Sequence, residues 1–118
     1  MEEYRLEPSG HGLLGLARRA GALIVGVDQM RERVKRGQTL LILADPALSE
    51  RTWRELEGWQ EADGRTRVVA LAEMVALNGL LGTNGVRAVA LADGGFRRGL
   101  EERLSPLNTG EQGGCQEA

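Results

Sequence analysis

The chain has 118 residues, 42% hydrophobic, 27% charged and only 3% aromatic, with a formal net charge of −2, which fits one domain around a single aliphatic core. One cysteine, Cys115, and one histidine, His11, cannot assemble a metal cluster, and the scarcity of aromatics argues against base-stacking platforms. No run of about 18 apolar residues is present and the start Met1-Glu2-Glu3 is acidic, so neither a membrane span nor a secretory leader is expected, and the expected compartment is the cytoplasm.

In chain order, Met1 to Pro8 reads as a polar lead, and Ser9 is the expected N-cap of a helix carrying Leu13, Leu14, Leu16 and Ala17 that stops near Gly21. Leu23 to Val25 predicts a short strand. At Gly26 the chain turns into a second helix, because Val27, Met30 and Val34 recur at helical spacing until Gly37. Asp28, Gln29, Glu32 and Arg36 share the opposite face of that helix, with Arg33 and Lys35 on its flanks. Leu40 to Ala44, an unbroken apolar run ended by Asp45-Pro46, predicts a central strand buried on both faces. A third helix is expected from about Ser49 to Ala62, with Trp53, Leu56 and Trp59 inward. Asp63-Gly64 then turns the chain into a strand over Arg67 to Leu71. A helix over Met74 to Leu81, a turn at Gly82-Thr83-Asn84-Gly85, a strand over Val86 to Ala92 and a closing helix over Gly95 to Leu104 complete the domain. Residues 105 to 118 are expected to form a disordered tail. Helices alternating with short apolar strands predict a three-layer α/β/α sandwich around a mixed sheet, spanning residues 9 to 104.

The charge is unevenly distributed. Between Ser9 and Gly37 six bases (Arg18, Arg19, Arg31, Arg33, Lys35, Arg36) stand against two acids, whereas Asp45 to Gly64 holds six acids against two bases. The first segment is suited to meet phosphate and the second to repel it. Catalytic constellations are harder to find. Gly79 to Gly85 lacks both the spacing and the lysine of a triphosphate loop, His11 has no second histidine beside it, and Glu101 and Glu102 sit among arginines as a solvated helix face would. No catalysis, cofactor or metal is expected.

The segments Leu13-Leu14-Gly15-Leu16-Ala17-Arg18-Arg19-Ala20-Gly21, Gly26 to Gly37, Leu40 to Asp45 and Ala90-Leu91-Ala92-Asp93-Gly94-Gly95-Phe96 together resemble bacterial YlxQ-type proteins, of the ribosomal protein superfamily that binds kink-turn RNA. The resemblance covers about Gly12 to Leu104. It implies an RNA-binding, ribosome- or translation-associated role. In kink-turn binders the corresponding helix start reads Gly-x-Asn-Glu-x-x-Lys with a later Arg-Gly, and its polar side chains meet the guanine edges of sheared G·A pairs. Here Gly26 and Arg36-Gly37 keep the frame, while Asp28, Gln29 and Glu32 occupy the asparagine, glutamate and lysine positions. Asp28 lacks the amide donor, and Glu32 carries a negative charge where the family presents a positive one. The family's second contact, a loop whose apolar residues cover an extruded base, maps onto Thr83-Asn84-Gly85-Val86-Arg87.

The resulting expectation is a monomeric protein that recognises structured RNA, ribosomal RNA among the candidates, and neither DNA nor membrane. Its RNA-facing residues would be Gly26, Val27, Asp28, Gln29, Glu32, Arg33, Arg36, Thr83, Asn84, Gly85, Val86 and Arg87, with Arg18 and Arg19 as further phosphate contacts. The rival expectation is a protein-interaction module on the same scaffold that has lost kink-turn recognition and offers its acidic side to a basic partner.

Overall fold

The computed structural model describes residues 2 to 107. Eleven elements follow one another: β1 (Glu3–Leu6), α1 (Pro8–Arg19), β2 (Ile24–Val25), α2 (Val27–Lys35), β3 (Leu40–Ala44), α3 (Glu50–Asp63), β4 (Arg67–Leu71), α4 (Leu77–Leu81), β5 (Ala88–Ala92), α5 (Gly95–Glu101) and β6 (Leu104–Pro106). The strands form one mixed sheet in the order β2-β5-β3-β4-β1-β6, in which β3 and β1 run parallel to β4 and the other pairings are antiparallel.

β3 explains the layering. All five of its residues are buried, and because side chains alternate along a strand they supply two cores at once. Leu41 and Leu43 join Val69, Leu71, Val89 and Leu91 under α1, α4 and α5, where Leu14, Leu81 and Leu100 close the layer. Leu40, Ile42 and Ala44 join Ala70, Ala88 and Ala90 under α2 and α3, which contribute Met30, Trp53 and Leu56. The alanines on this second face leave room for an indole and a long thioether, so each helix layer matches the side-chain volume of the sheet face it covers. The molecule is thus a three-layer α/β/α sandwich.

Several elements differ from the sequence expectation. The segment read as a polar lead contains β1, whose Leu6 is buried and which is held between β4 and β6. α1 begins at Pro8, a residue whose missing N–H costs nothing in the first turn, so Ser9 lies inside the helix and Glu7 stands at the cap position. Ser9 Oγ instead accepts a hydrogen bond from Arg103 Nε at 3.1 Å. The helix expected over Met74 to Leu81 is regular only from Leu77, Met74 being buried in the preceding turn. α5 stops at Glu101, and Leu104, Ser105 and Pro106 pair with β1 rather than starting a tail. Pro106 is tolerated there because β6 is an edge strand. The tail expected over Asn108 to Ala118 lies outside the described residues.

No helix among the described residues is long and apolar enough to cross a membrane.

Candidate nucleic-acid interface

The sheet has two ends that differ in chemistry. At the first, here the Gly26 end, β2, β3 and β4 finish and β5 begins. At the second, the Gly94 end, α1, α2 and α3 finish and α5 begins.

At the Gly26 end two distant segments become neighbours. Gly26 N–H donates to the Ala88 carbonyl at 3.0 Å, the last rung between β2 and β5, while the Gly26 carbonyl accepts from Met30 N–H at 3.2 Å as the first bond of α2. Serving both ladders requires φ +90°, a conformation open to glycine and strained for other residues. The start of α2 therefore stands beside the chain that leads from the Thr83 loop into β5. Val27 packs against the α2/α3 core, whereas Asp28 and Gln29 are exposed.

Asn78 holds the loop itself. Its Nδ2 donates to the carbonyls of Val75 (2.9 Å) and Val86 (3.0 Å), and its Oδ1 accepts from Thr83 Oγ1 (2.6 Å) and Val86 N–H (3.0 Å). All of the amide's hydrogen-bonding capacity is thereby used within one loop. Val86 is consequently withdrawn from β5, which begins two residues later than expected. Asn84 and Gly85 are exposed, and a cleft of about 420 Å³ opens between Val75, Asn78, Asn84, Gly85, Val86 and Arg87, with Asp45. Val75 is 58% exposed and, with Val86, supplies the apolar side chains that line the cleft.

Arg87, expected to reach phosphate, is partly exposed and places Nε 2.9 Å from Oδ2 of the largely buried Asp45. That carboxylate also accepts from Ala47 N–H at 2.9 Å, so it fixes the β3 exit while orienting the guanidinium. Glu73, at the same end, accepts from Leu6 N–H and lies 2.9 Å from Nε2 of His11, which is therefore a tied residue and not a free surface histidine.

The polar face of α2 is more occupied than its sequence implies. Arg31 lies between Asp28 (Nη1 to Oδ1, 2.8 Å) and Glu55 of α3, with Nε to Oε2 at 2.6 Å and Nη2 to Oε1 at 2.9 Å. The hydrogen bonds from Arg31 hold the Glu55 carboxyl below the usual carboxylate range, against the opposing effect of burial, and raise the Arg31 guanidinium in turn. Among the described residues Glu32 meets only Lys35, at 3.9 Å, with both side chains more than half exposed.

Arg33 and Arg36 do not join the loop. They sit at the opposite end of α2, a helix about 13 Å long at ~1.5 Å per residue. Arg33 donates to Gln38 Oε1 at 3.3 Å and, with Gly21, Gly94 and Phe96, lines a separate cleft at the Gly94 end. The expected site residues thus divide: Gly26, Val27, Asp28, Gln29 and Thr83 to Arg87 share one end, Glu32 stands on the exposed face between, and Arg33 and Arg36 belong to the other. Sequence reasoning missed Asn78, Asp45 and Glu55. The only local signal was an asparagine four residues before Gly82 in a turn-rich stretch.

Among the described residues no His, Cys, Asp or Glu cluster is arranged to hold a metal ion. No family model and no curated protein sequence matches the chain. Among solved structures it is similar to a Bacillus halodurans protein of unknown function, with 26% identity, a TM-score of 0.71, and an alignment covering 81% of this chain and 96% of that one.

Proposed function

We propose that the chain is a non-catalytic, cytoplasmic RNA-binding protein of the YlxQ type, associated with the ribosome or translation, that reads structured RNA at the Gly26 end of its sheet. The observation that carries the reading is the junction at Gly26. One hydrogen bond to Ala88 places the exposed start of α2 beside a loop that Asn78 stiffens from within. A prearranged surface of this kind loses little conformational entropy when an RNA docks. Asp28, exposed although one of its oxygens is held by Arg31, and the exposed Gln29 are the side chains placed to read base edges, and the cleft between Val75 and Val86 offers an apolar seat for an unstacked base. The target is a kink-turn or a variant of it. Because Asp28 and Glu32 stand where the resemblance places an amide and an ammonium, a variant with a donor facing Asp28 fits this surface better than a standard kink-turn.

The test is titration of the protein against a kink-turn RNA, fragments of ribosomal RNA and a plain duplex at several salt concentrations. Preference for a kinked or internally looped RNA over the duplex, with affinity falling as salt rises, supports the reading. Absence of binding to every structured RNA at low salt rejects it and favours the rival, a protein-interaction module. That rival draws support from the acidic α3, where Glu50, Glu57 and Glu61 share one exposed face at helical spacing.

A further inference from the structure

The Gly94 end gathers the termini of four helices, and with them six arginines, of which Arg65 alone pairs with a carboxylate among the described residues, Asp93 at 3.5 Å. Arg18 and Arg19 come from the last turn of α1, Arg33 and Arg36 from the end of α2, Arg65 from the turn after α3, and Arg98 from α5. Two clefts, of about 370 and 200 Å³, flank Asp93-Gly94; Arg65 and Arg98 line the first and Arg33 the second. Among the described residues Arg18, Arg19, Arg33, Arg36 and Arg98 have no carboxylate within ion-pair distance. Three of the acids at this end, Asp93, Asp63 and Glu101, are already committed, while Glu61 in the last turn of α3 is exposed without an ion-pair partner among the described residues. Asp93 accepts from Thr39 Oγ1 at 2.7 Å and pairs with Arg97, while Asp63 accepts from the N–H groups of Arg65 and Thr66 and from the Thr66 hydroxyl. Glu101 pairs with Arg97 and Arg67. At the Gly26 end Asp28, Asp45, Glu50 and Glu73 each hold a cation or imidazole, and fewer arginines are left over, Arg51 in the first turn of α3 being one without a carboxylate among the described residues.

From this polarity we infer that the Gly94 end is a second RNA contact, a phosphate-binding surface that holds the backbone of a stem flanking the element read at the Gly26 end. The inference rests on the RNA reading proposed above and adds to it a division of labour: base edges at one end of the sheet, phosphates at the other. Guanidinium groups on four different elements, spread around two shallow clefts, suit a sequence-independent contact with several phosphates rather than the enclosure of one small anion. Helix dipoles explain part of the arrangement, since Arg18, Arg19 and Arg33 stand in last turns where a cation is favoured. Arg98 likewise stands in the last turn of α5, but dipoles do not explain the convergence of these groups on one end.

The experiment compares the parent with the variant Arg18→Gln, Arg19→Gln, Arg36→Gln, Arg98→Gln, and separately with Asn78→Ala. The probes are a kink-turn RNA carrying one extended stem, the same RNA with that stem cut short, and poly-glutamate. The expected result for the arginine variant is an unchanged thermal midpoint, roughly tenfold or greater loss of affinity for the extended RNA, and a salt slope shallower by about 2 to 4, as removal of that many phosphate contacts requires. Its affinity for the shortened RNA should change little, whereas Asn78→Ala should weaken both RNAs. If the parent binds RNA and the arginine variant matches it in affinity and slope, the second contact is overturned and the RNA reading survives. Failure of the parent to bind either RNA at low salt overturns both. Arginine-dependent binding of poly-glutamate as tight as that of RNA overturns the assignment in favour of an acidic protein partner.

Discussion

Asn78 and Val86 exchange two hydrogen bonds across the loop before β5, Asn78 Nδ2 donating to the Val86 carbonyl and Val86 N–H donating to Asn78 Oδ1, both at 3.0 Å. The side-chain amide thus acts as a strand neighbour for a residue that has none. Asn78→Ala would leave the N–H and carbonyl of Val86, both partly buried, without these partners, at a cost of about 1–3 kcal/mol. Because the loss is local, the expected signature is faster amide exchange over Thr83 to Val86 with protection of β3 retained. Uniform loss of protection across the sheet would show that the loop is not a separable unit.

The bridge between α2 and α3 gives a pH dependence. Glu55 is held below its ordinary value of 4.5, first by the hydrogen bonds from Arg31. A carboxylate lowered in the folded state contributes stability that is complete above that ordinary value and is lost as pH falls through the lowered one. Glu55→Gln should therefore lower the thermal midpoint by about 2–5 °C at neutral pH, a modest effect because the pair is partly exposed, and should flatten the loss of stability below pH 4.5. Parallel melting curves for parent and variant across the acid range would refute a role for this pair.

Legibility in the sequence followed the range of the interactions. Leu40 to Ala44 announced itself because a strand buried on both faces must be apolar throughout, and α3 was legible from about Ser49, where the structure adds an N-cap bond from Thr52 N–H to the Ser49 hydroxyl. β1 and β6 were opaque: Glu3 to Leu6 carries two charges in four residues and Leu104 to Pro106 ends in a proline, so β1 is a strand because β4 and β6 flank it, and β6 because β1 is beside it. The site divides in the same way. Gly26 and Gly37 could be read from spacing as the bounds of one helix, and the resemblance alone marked Gly26 and Arg36-Gly37 as a recognition frame. The partner of Arg87 lies 42 residues away at Asp45 and that of Arg31 lies 24 away at Glu55, distances at which charge patterning carries no pairing information. The segment read as basic and the segment read as acidic are in fact zipped together by Arg31 and Glu55.

Gly26 is the position where the backbone itself is expected to be indispensable. No atom would obstruct a Cβ there, so an alanine would fail only through its φ of +90°. Gly26→Ala should cost about 1–3 kcal/mol through this strain. Since the same residue links β2 to α2, the variant should also misplace Asp28 and Gln29 and weaken RNA binding by more than its stability loss predicts. Equal stability in parent and variant would mean that the turn relaxes to a different conformation.

The sharpest test of the α2 surface is to restore the side chains that the kink-turn pattern calls for. Glu32 makes one long contact to Lys35 at 3.9 Å and Asp28 is almost fully exposed, so neither is needed for folding. Glu32→Lys places a third cation near Lys35 and Arg36, a repulsion of a few tenths of a kcal/mol on an exposed helix. Against that small cost it removes one repulsion of RNA and adds one donor, together worth about 1–2 kcal/mol at a partly exposed contact, or roughly tenfold in affinity. Asp28→Asn supplies the missing amide donor but releases Arg31 from one of its two acids, leaving Glu55 to hold it. With Gln29→Glu added, the triple variant should bind a standard kink-turn about tenfold more tightly than the parent at fixed salt, and should discriminate it from a straight duplex more strongly. Should the triple variant keep the parent's melting curve and bind the kink-turn no better, the start of α2 does not read RNA in this protein, and the contact surface must be sought at the arginines of the Gly94 end.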